Sequence, residues 1–439
     1  MGRERRLSAG AGVAVSNAAA SRAHKSSSGE HHEEDGGGAN NKTMSAQVLV
    51  AVRLRPHTVK ERMAESNSTL GVHVVDRKMV VVSDRVNDEN DVLRGHRAKE
   101  RKYAFDYAFD EKVKQEEVYE LTTKFLVDGV LHGYNATVFA YGATGTGKTY
   151  TMIGTPDSPG IMVLTLKDMF ERLQENDEHS DYKYKVTFSY LEVYNENIRD
   201  LLSPSSTFLD LREDPYKGMC VAGIQEMEAR SHEEVMELLR RGNRHRTQEA
   251  TAANVYSSRS HAVLQVTVEQ KERTPNTVTP VRVGKLSLID LAGSERAAKT
   301  QNRGQRMIEG ANINRSLLAL GNCINALGDK ANRGAYVPFR DSKLTRLLKD
   351  SLGGNCRTTM IATLAPSREF LEETINTLKY ANRAKNIQLT IAPNVSSVSH
   401  HIAQYTQIIS DLRSEISQLK LALAQAMQSQ GSEKAGARG

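Results

Sequence analysis

Eight residues constrain this 439-residue chain more than any other feature: GATGTGKT, residues 142–149. They fit the pattern G-x-x-x-x-G-K-[ST], whose glycines let backbone N–H groups turn inward around phosphate oxygens. In that pattern Gly142, Ala143, Thr144, Gly145, Thr146 and Gly147 form the cradle. Lys148 reaches the β and γ oxygens, and the Thr149 hydroxyl faces Mg²⁺. The apolar run ATVFAYG (136–142) precedes the loop and TYTMI follows it as a helix start. Strand, loop and helix in that order are what such a loop needs around it.

The rest of the chain supplies a matching scaffold. VLVAVRL (48–54), KVTFSYLEVY (185–194), AVLQVTV (262–268), KLSLIDLAG (285–293) and TTMIATLA (358–365) read as further strands. Residues 233–241, 313–327 and 371–382 carry helical apolar periodicity. Alternation on this scale predicts an α/β fold with helices on both faces of a sheet. Residues 1–42 hold almost no large apolar side chain to offset the cost of ordering, so they read as a disordered extension. From residue 399 the spacing changes. Ile402, Tyr405, Ile409, Leu412, Ile416, Leu419, Leu423 and Ala426 alternate steps of three and four, the seam of a coiled coil that would pair two chains. A single amphipathic helix folded back on the domain is the other reading of the same spacing. Residues 429–439 read as disordered, and no tail or cargo segment is expected before Gly439.

No run approaches the ~20 apolar residues that cross a bilayer, and the N-terminus lacks the apolar core of a secretory signal. Three widely spaced cysteines, Cys220, Cys323 and Cys356, make no metal or disulfide pattern and suit a reducing compartment. The 59 Lys and Arg exceed the 53 Asp and Glu by six. An excess so small points to an acidic partner only where it is clustered.

Two polar motifs sit where a phosphate-loop enzyme needs them. NVYSSRSH (254–261) places three hydroxyls, an Arg and a His just before a strand. DLAGSE (290–295) follows the apolar strand KLSLI. There Asp290 stands where a Mg²⁺-linked carboxylate belongs, and Gly293 can offer an N–H to a γ-phosphate.

With these motifs the sequence resembles the kinesin motor domain from about Gln47 to Leu423. RLRP (53–56), YLEVYNENIRDLL (190–202), NINRSLLALGNCINAL (312–327), YVPFRDSKLTRLLKDSLGGN (336–355) and NTLKYANRAKNI (376–387) carry the same resemblance. Within the family the chain is most similar to kinesin-8, on AYGATGTGKTYTM, GIMVLTLKDMF, LREDPYKGMCVAGI, NVSSVSHHIAQYTQII and a long basic insertion at 85–102.

The resemblance implies a P-loop NTPase fold. It has a central mixed sheet of about eight strands with helices on both faces, followed by a short coiled-coil-like helix. The motor domain would span 43–385, the neck linker 386–398 and the neck helix 399–428. It implies ATP and Mg²⁺ as cofactors, with Arg53, Pro56 and Tyr150 around the adenine. Ser258 would join Thr149 at Mg²⁺, and Asp290 would hold a metal-bound water. Gly293 would sense the γ-phosphate. Arg259 and Glu295 would close the site as a salt bridge, with Glu295 helping take a proton from the attacking water. The signal would then pass through the helix 313–327, opening a slot for Ile387 and docking the linker with Asn394 as its latch. The resemblance further implies a plus-end-directed ATPase that steps along microtubules and shortens their plus ends. It would be a cytoplasmic, cytoskeletal homodimer that engages no nucleic acid or membrane.

A helical reading of PFRDSKLTRLLKD (338–350) turns Leu344, Leu347 and Leu348 inward and leaves Lys343, Arg346 and Lys349 as an outer stripe. The resemblance assigns this segment to the microtubule face, with Arg340, Lys299, Arg303 and Arg306. Arg97, Lys99, Arg101 and Lys102 form a second basic cluster, which in kinesin-8 adds a contact to the track. The alternative is a non-catalytic microtubule-binding protein with an inactive nucleotide site. The joint presence of Lys148, Thr149, Ser258, Arg259, Asp290, Gly293 and Glu295 opposes it.

Overall fold

Strands that are apolar on every residue can be buried only if both faces of their sheet are covered. The computed structural model describes residues 43–64, 71–84, 99–179, 181–203, 207–214, 218–248, 259–273, 279–295, 305–329 and 334–398, with Ile416, Leu419 and Lys420. All of these belong to one unit, Asn41–Gly439. The segments read as disordered, 1–42 and 429–439, lie outside the described residues, as does most of the 399–428 helix. Ile416 and Leu419 are helical and more than half exposed.

The chain opens with β1 (Met44–Gln47), β2 (Leu49–Leu54) and α1 (Val59–Ala64). β3 (Gly71–Val75), β4 (Met79–Asp84) and β5 (Lys99–Ala104) form a small antiparallel sheet. Next come β6 (Tyr107–Phe109), α2 (Gln115–Thr122), α3 (Lys124–Leu131), β7 (Ala136–Tyr141) and α4 (Lys148–Met152). The ribbon β8 (Gly154–Thr155) and β9 (Ser158–Pro159) leads to α5 (Ile161–His179), β10 (Tyr182–Tyr194) and β11 (Asn197–Asp200). A hairpin of β12 (Asp210–Asp214) and β13 (Gly218–Ala222) precedes β14 (Met227–Glu228) and α6 (His232–Gln248). The long strands β15 (His261–Glu272) and β16 (Thr279–Asp290) follow, then α7 (Gln305–Gly328), α8 (Lys343–Leu347) and α9 (Lys349–Gly353). β17 (Arg357–Leu364), α10 (Leu371–Ala384), β18 (Gln388–Ile391) and β19 (Val395–Val398) complete it.

The central sheet runs β11-β10-β15-β16-β7-β17-β2-β6, with β14 on β10 and β19 on β16. It is mixed: β10, β15 and β16 are antiparallel to one another, while β16, β7, β17, β2 and β6 run parallel. Successive residues of each strand feed opposite cores. Val50, Val52, Phe139, Tyr141, Met360 and Ala362 meet α7 and α10 residues such as Leu320 and Leu378. Ala51, Val138, Ala140 and Ile361 meet α3 and α5 residues such as Val130 and Met169. Burying side chains of this size contributes about 1.5–3 kcal/mol each, which makes the two-sided sheet the dominant stabilising element.

Segment 338–350 is not one helix. A 3₁₀ turn (Phe339–Asp341) comes first, and α8 starts afresh because Ser342, with extended backbone, accepts the Thr345 N–H at 3.2 Å. The chain breaks again at Leu348 before α9. Leu344 and Leu348 are buried as expected, but Lys343, Arg346 and Lys349 are half-buried. No helix among the described residues is long and apolar enough to cross a membrane.

One close approach fixes α3 on the sheet. A Cβ at Gly284 of β16 would stand 2.0 Å from the Val130 carbonyl oxygen, so only glycine fits without moving backbone. Gly284→Ala is expected to destabilise the protein by roughly 1–3 kcal/mol, the usual cost of overpacking. Urea unfolding should show a lower midpoint at unchanged slope, and an unchanged midpoint would contradict this packing.

Candidate nucleotide site

The glycine loop leaves β7 at Tyr141 and turns through Gly145 (φ 80°) and Gly147 (φ 97°), left-handed conformations that favour glycine. α4 then begins at Lys148. The Lys148 ammonium is buried, and among the described residues it donates to the Gly142 and Ala143 carbonyls at 2.9 Å each. Burial pulls its pKa down to about 8, against the upward pull of Asp290 and Glu295. A phosphate beside it would supply the missing counter-charge.

Below the loop, Thr149 donates from Oγ1 to Asp290 Oδ2 at 2.8 Å. Asp290 is fully buried at the end of β16, and its Oδ1 has no hydrogen-bond partner. Among the described residues no three His, Cys, Asp or Glu side chains gather to hold a metal ion. One hydroxyl and one buried carboxylate with a spare oxygen instead suit Mg²⁺, which keeps most of its shell on water and phosphate. The residues present therefore fit the group.

Sequence reasoning overlooked Arg246, near the end of α6. Its guanidinium is buried and donates to Asp290 Oδ2 at 3.2 Å, Ser260 Oγ at 3.1 Å and the Ser260 carbonyl at 2.9 Å. Glu192 of β10 lies 3.9 Å away. Nothing in the polar-looking run RRGNRHR singles out this one arginine, because its burial is decided by three other elements.

At the mouth of the loop, Glu295 accepts from the Thr144 backbone N–H at 2.7 Å and from Thr144 Oγ1 at 2.5 Å. Its carboxylate is on the glycine loop, and among the described contacts it makes no ion pair with half-buried Arg259. Ser258 lies outside the described residues. A Cβ on Gly293 would come within 2.1 Å of Thr144 Oγ1 and 2.3 Å of Glu295 Oε2. A side chain there would force Thr144 and Glu295 out of their present contact.

The two arginines of RLRP divide their roles. Arg53 is buried, donating to Gln115 at 2.6 Å and Thr151 at 3.1 Å, with its guanidinium 5.3 Å from the Tyr150 ring centre. It backs Tyr150, which is exposed. Arg55, passed over in the sequence, donates to the Gly145 carbonyl at 2.7 Å beside exposed Pro56. Glu61 grips its guanidinium in a bidentate pair that holds the carboxyl down at about 2. Glu61 also closes a capping box with Thr58 at the start of α1.

His261 is buried beneath the same site. Nδ1 accepts the Ala292 N–H at 3.0 Å and Nε2 lies 2.9 Å from Ser316 Oγ. Burial, with Arg246 and Lys148 nearby, pushes its pKa down to about 3.

Two of the basic residues read as one outer stripe, Arg346 and Lys349, also reach the β12–β13 hairpin. Lys349 meets Glu213 at 2.5 Å, and Arg346 reaches the Leu211 carbonyl at 3.4 Å. Lys349, with Arg340 and Arg346 near, lowers the Glu213 pKa. A helical wheel does not show these contacts, because the hairpin is remote in sequence. Exposed Lys102 sits 3.6 Å from Glu100, and Arg101 is half-buried on β5. Arg97, Lys299 and Arg303 lie outside the described residues, as do the side chains of Lys99 and Arg306.

Comparison with known proteins agrees with this architecture. The family model described as Kinesin motor domain matches residues 53–387. Kinesin-like protein KIF19 of Homo sapiens is 59% identical over 374 residues, covering 85% of this chain and 37% of that protein. Kinesin-like protein KIN-8B of Arabidopsis thaliana is 50% identical over 379 residues, 86% of this chain and 45% of that one. The chain therefore spans less than half the length of these relatives. Among solved structures, a KIF14 dimer with AMP-PNP in complex with a microtubule superposes with TM-score 0.71 at 34% identity. That match covers 80% of this chain and 97% of the other.

The buried imidazole makes stability depend on pH. Its folded pKa, about 3, lies below the ordinary 6.5, so between these values only the unfolded state binds the proton. Its contribution is complete above pH 6.5 and falls as the pH drops, by up to about 1.4 kcal/mol per unit. Unfolding midpoints from pH 7.5 to 5 should decline more steeply for the native chain than for His261→Gln. Parallel declines would contradict the assignment.

Proposed function

Because the chain belongs to the kinesin motor domain family, we propose that it is a microtubule-stimulated ATPase: a plus-end-directed motor of the kinesin-8 kind that steps along microtubules and shortens their plus ends. One observation carries the reading. β16 holds Asp290 at its C-terminal end and pairs with β19 of the linker at its N-terminal end, through Thr279–Arg282. A single strand of 12 residues, roughly 40 Å at the usual rise, spans nucleotide site and mechanical element.

The linker is held in full at that far end. Ile387 is buried, β18 pairs with β1, and β19 pairs with β16. Asn394 donates from its amide to the Gly133 carbonyl, Asn135 Oδ1 and the Val283 carbonyl at 3.2, 2.8 and 3.0 Å. Its Oδ1 accepts from Asn355 at 3.1 Å.

Mg·ATP supplies the phosphoryl group and the charge that the site answers. Lys148 would exchange its two carbonyl partners for phosphate oxygens, and Thr149 and Asp290 would hold the hydrated cation. Gly293 would present its N–H toward the γ-phosphate, and Glu295 would leave Thr144, pair with Arg259 and help take a proton from the attacking water through a second water. Ser258 would complete the metal site. The basic residues around α8 and α9 and the cluster near residue 100 face acidic tubulin. Homodimerisation through 399–428 agrees with the exposure of Ile416 and Leu419 on a helix. The place of action is the cytoplasmic microtubule cytoskeleton.

The chemical step is tested by Glu295→Ala. Nucleotide affinity, read by fluorescence titration, should stay near that of the native chain. Stimulated phosphate release should fall by about 100-fold or more, as for loss of a proton-transfer group. Turnover near the native value would remove Glu295 from the chemistry.

Neutralising Arg97, Lys99, Arg101 and Lys102 separates the two mechanical outputs. Stepping on stabilised microtubules should survive, because the residues around Lys343 supply a grip on the lattice. End residence and shrinkage rate should fall. Equal proportional losses in both would reduce the cluster to a salt-screened tether.

A further inference from the structure

His261 takes no part in the chemistry above, yet both its ring nitrogens are used in a fully buried place. Because Nδ1 accepts from the Ala292 N–H, the ring proton sits on Nε2, and the imidazole donates to Ser316 Oγ. The ring stays neutral at physiological pH, so this arrangement is fixed.

The three residues come from three parts of the machine. His261 begins β15 and is paired with Val193 of β10, so its backbone is held by the sheet. Ala292 stands between Asp290 and Glu295, directly before Gly293. Ser316 is buried in α7, one residue before Leu317, which packs into the core that also receives Leu291 and Ala292. Apolar packing is non-directional and tolerates sliding of a helix over its neighbour. The hydrogen bonds through His261 are directional. They give the turn at Ala292 and the helix a shared fixed point that packing alone does not provide.

We propose that His261 is a positioning residue that sets the register of α7 against the Ala292–Gly293 turn, so that movement of the turn toward nucleotide reaches α7 and, through α10, the linker. α10 is suited to the last link. Gly321 of α7 allows Tyr380 of α10 so close that a Cβ would meet its ring at 2.7 Å, and Arg383 of α10 donates to Asn325 of α7 at 2.5 Å. The inference rests on the motor reading given above.

The test uses Ser316→Ala, Ser316→Thr, His261→Asn and the double variant His261→Asn/Ser316→Ala. Four readouts are compared: ATP turnover without microtubules, turnover with them, thermal midpoint, and a spin label at Ser396 reporting linker mobility with AMP-PNP. Ser316→Ala should leave unstimulated turnover within about twofold while stimulated turnover and linker immobilisation fall about tenfold, within the range of measured site-to-site couplings. Ser316→Thr, which keeps the hydroxyl, should restore both. The double variant should lose no more coupling than His261→Asn alone, because the two act through one bond.

Additive losses would overturn the bridge. So would a Ser316→Ala protein stimulated like the native chain, or one whose stimulated and unstimulated turnover fall in proportion with its thermal midpoint. A native chain that microtubules fail to stimulate would defeat the motor reading, and the bridge with it. A stimulated native chain beside an equally stimulated Ser316→Ala defeats the bridge alone.

Discussion

A carboxylate with no water around it must be answered by its neighbours, and much of the site is organised around answering Asp290. It ends β16 in full burial and shares one oxygen between the Thr149 hydroxyl and the Arg246 guanidinium. Those two bonds join the helix after the glycine loop and the end of α6 to a single point on the sheet. Arg246 in turn brings Ser260 and Glu192 into the cluster. Removing one partner from such a buried group of charges costs about 3–5 kcal/mol, because the remaining charge is left without compensation. The cluster therefore holds the loop, the turn and α6 in mutual position before any nucleotide arrives. What it leaves unanswered, one carboxylate oxygen and a lysine resting on carbonyls, is where added charge fits best.

The contacts that Glu295 makes on Thr144 have a related meaning. A carboxylate at the mouth of the loop occupies donors that phosphate oxygens would otherwise use. The close fit of Gly293 against the same two side chains ties the three residues into one unit. A group that takes the Thr144 N–H would have to displace the glutamate.

Much of this was legible in the sequence because it is local. The strand–loop–helix order around residues 136–152, the alternation along β2, β7 and β17, and the apolar strand ending in Asp290 all follow from neighbouring residues. What was hidden depends on elements far apart in the chain. Arg246 looks like any surface arginine until β10, β15 and β16 close over it. Arg53 lies within β2 while Arg55 falls just past its end, so strand alternation does not relate them, and only the packing of remote segments decides that one supports Tyr150 and the other reaches the loop. The β10–β11 hairpin turns on Asn195 and Glu196, both left-handed, without the glycine that usually announces such a turn. The single helix read over 338–350 did not hold. The Ser342 cap that restarts the helix is a local contact to Thr345, while the hairpin around Glu213 is a tertiary fact.

The way Asn394 is held has a mechanical side. Its backbone N–H and carbonyl pair with Gly133 and Val283, and its amide spends every donor and acceptor on Gly133, Val283, Asn135 and Asn355. A load entering through residue 398 meets β19 first, where the four pairs from Val398↔Thr279 to Arg282↔Val395 open one after another like a zip. At Asn394 the same load meets six polar contacts at once, anchored in three separate parts of the chain. The linker is thus weak along its outer four residues and strong at a single stop. Tension can fray its end repeatedly without tearing it from the sheet.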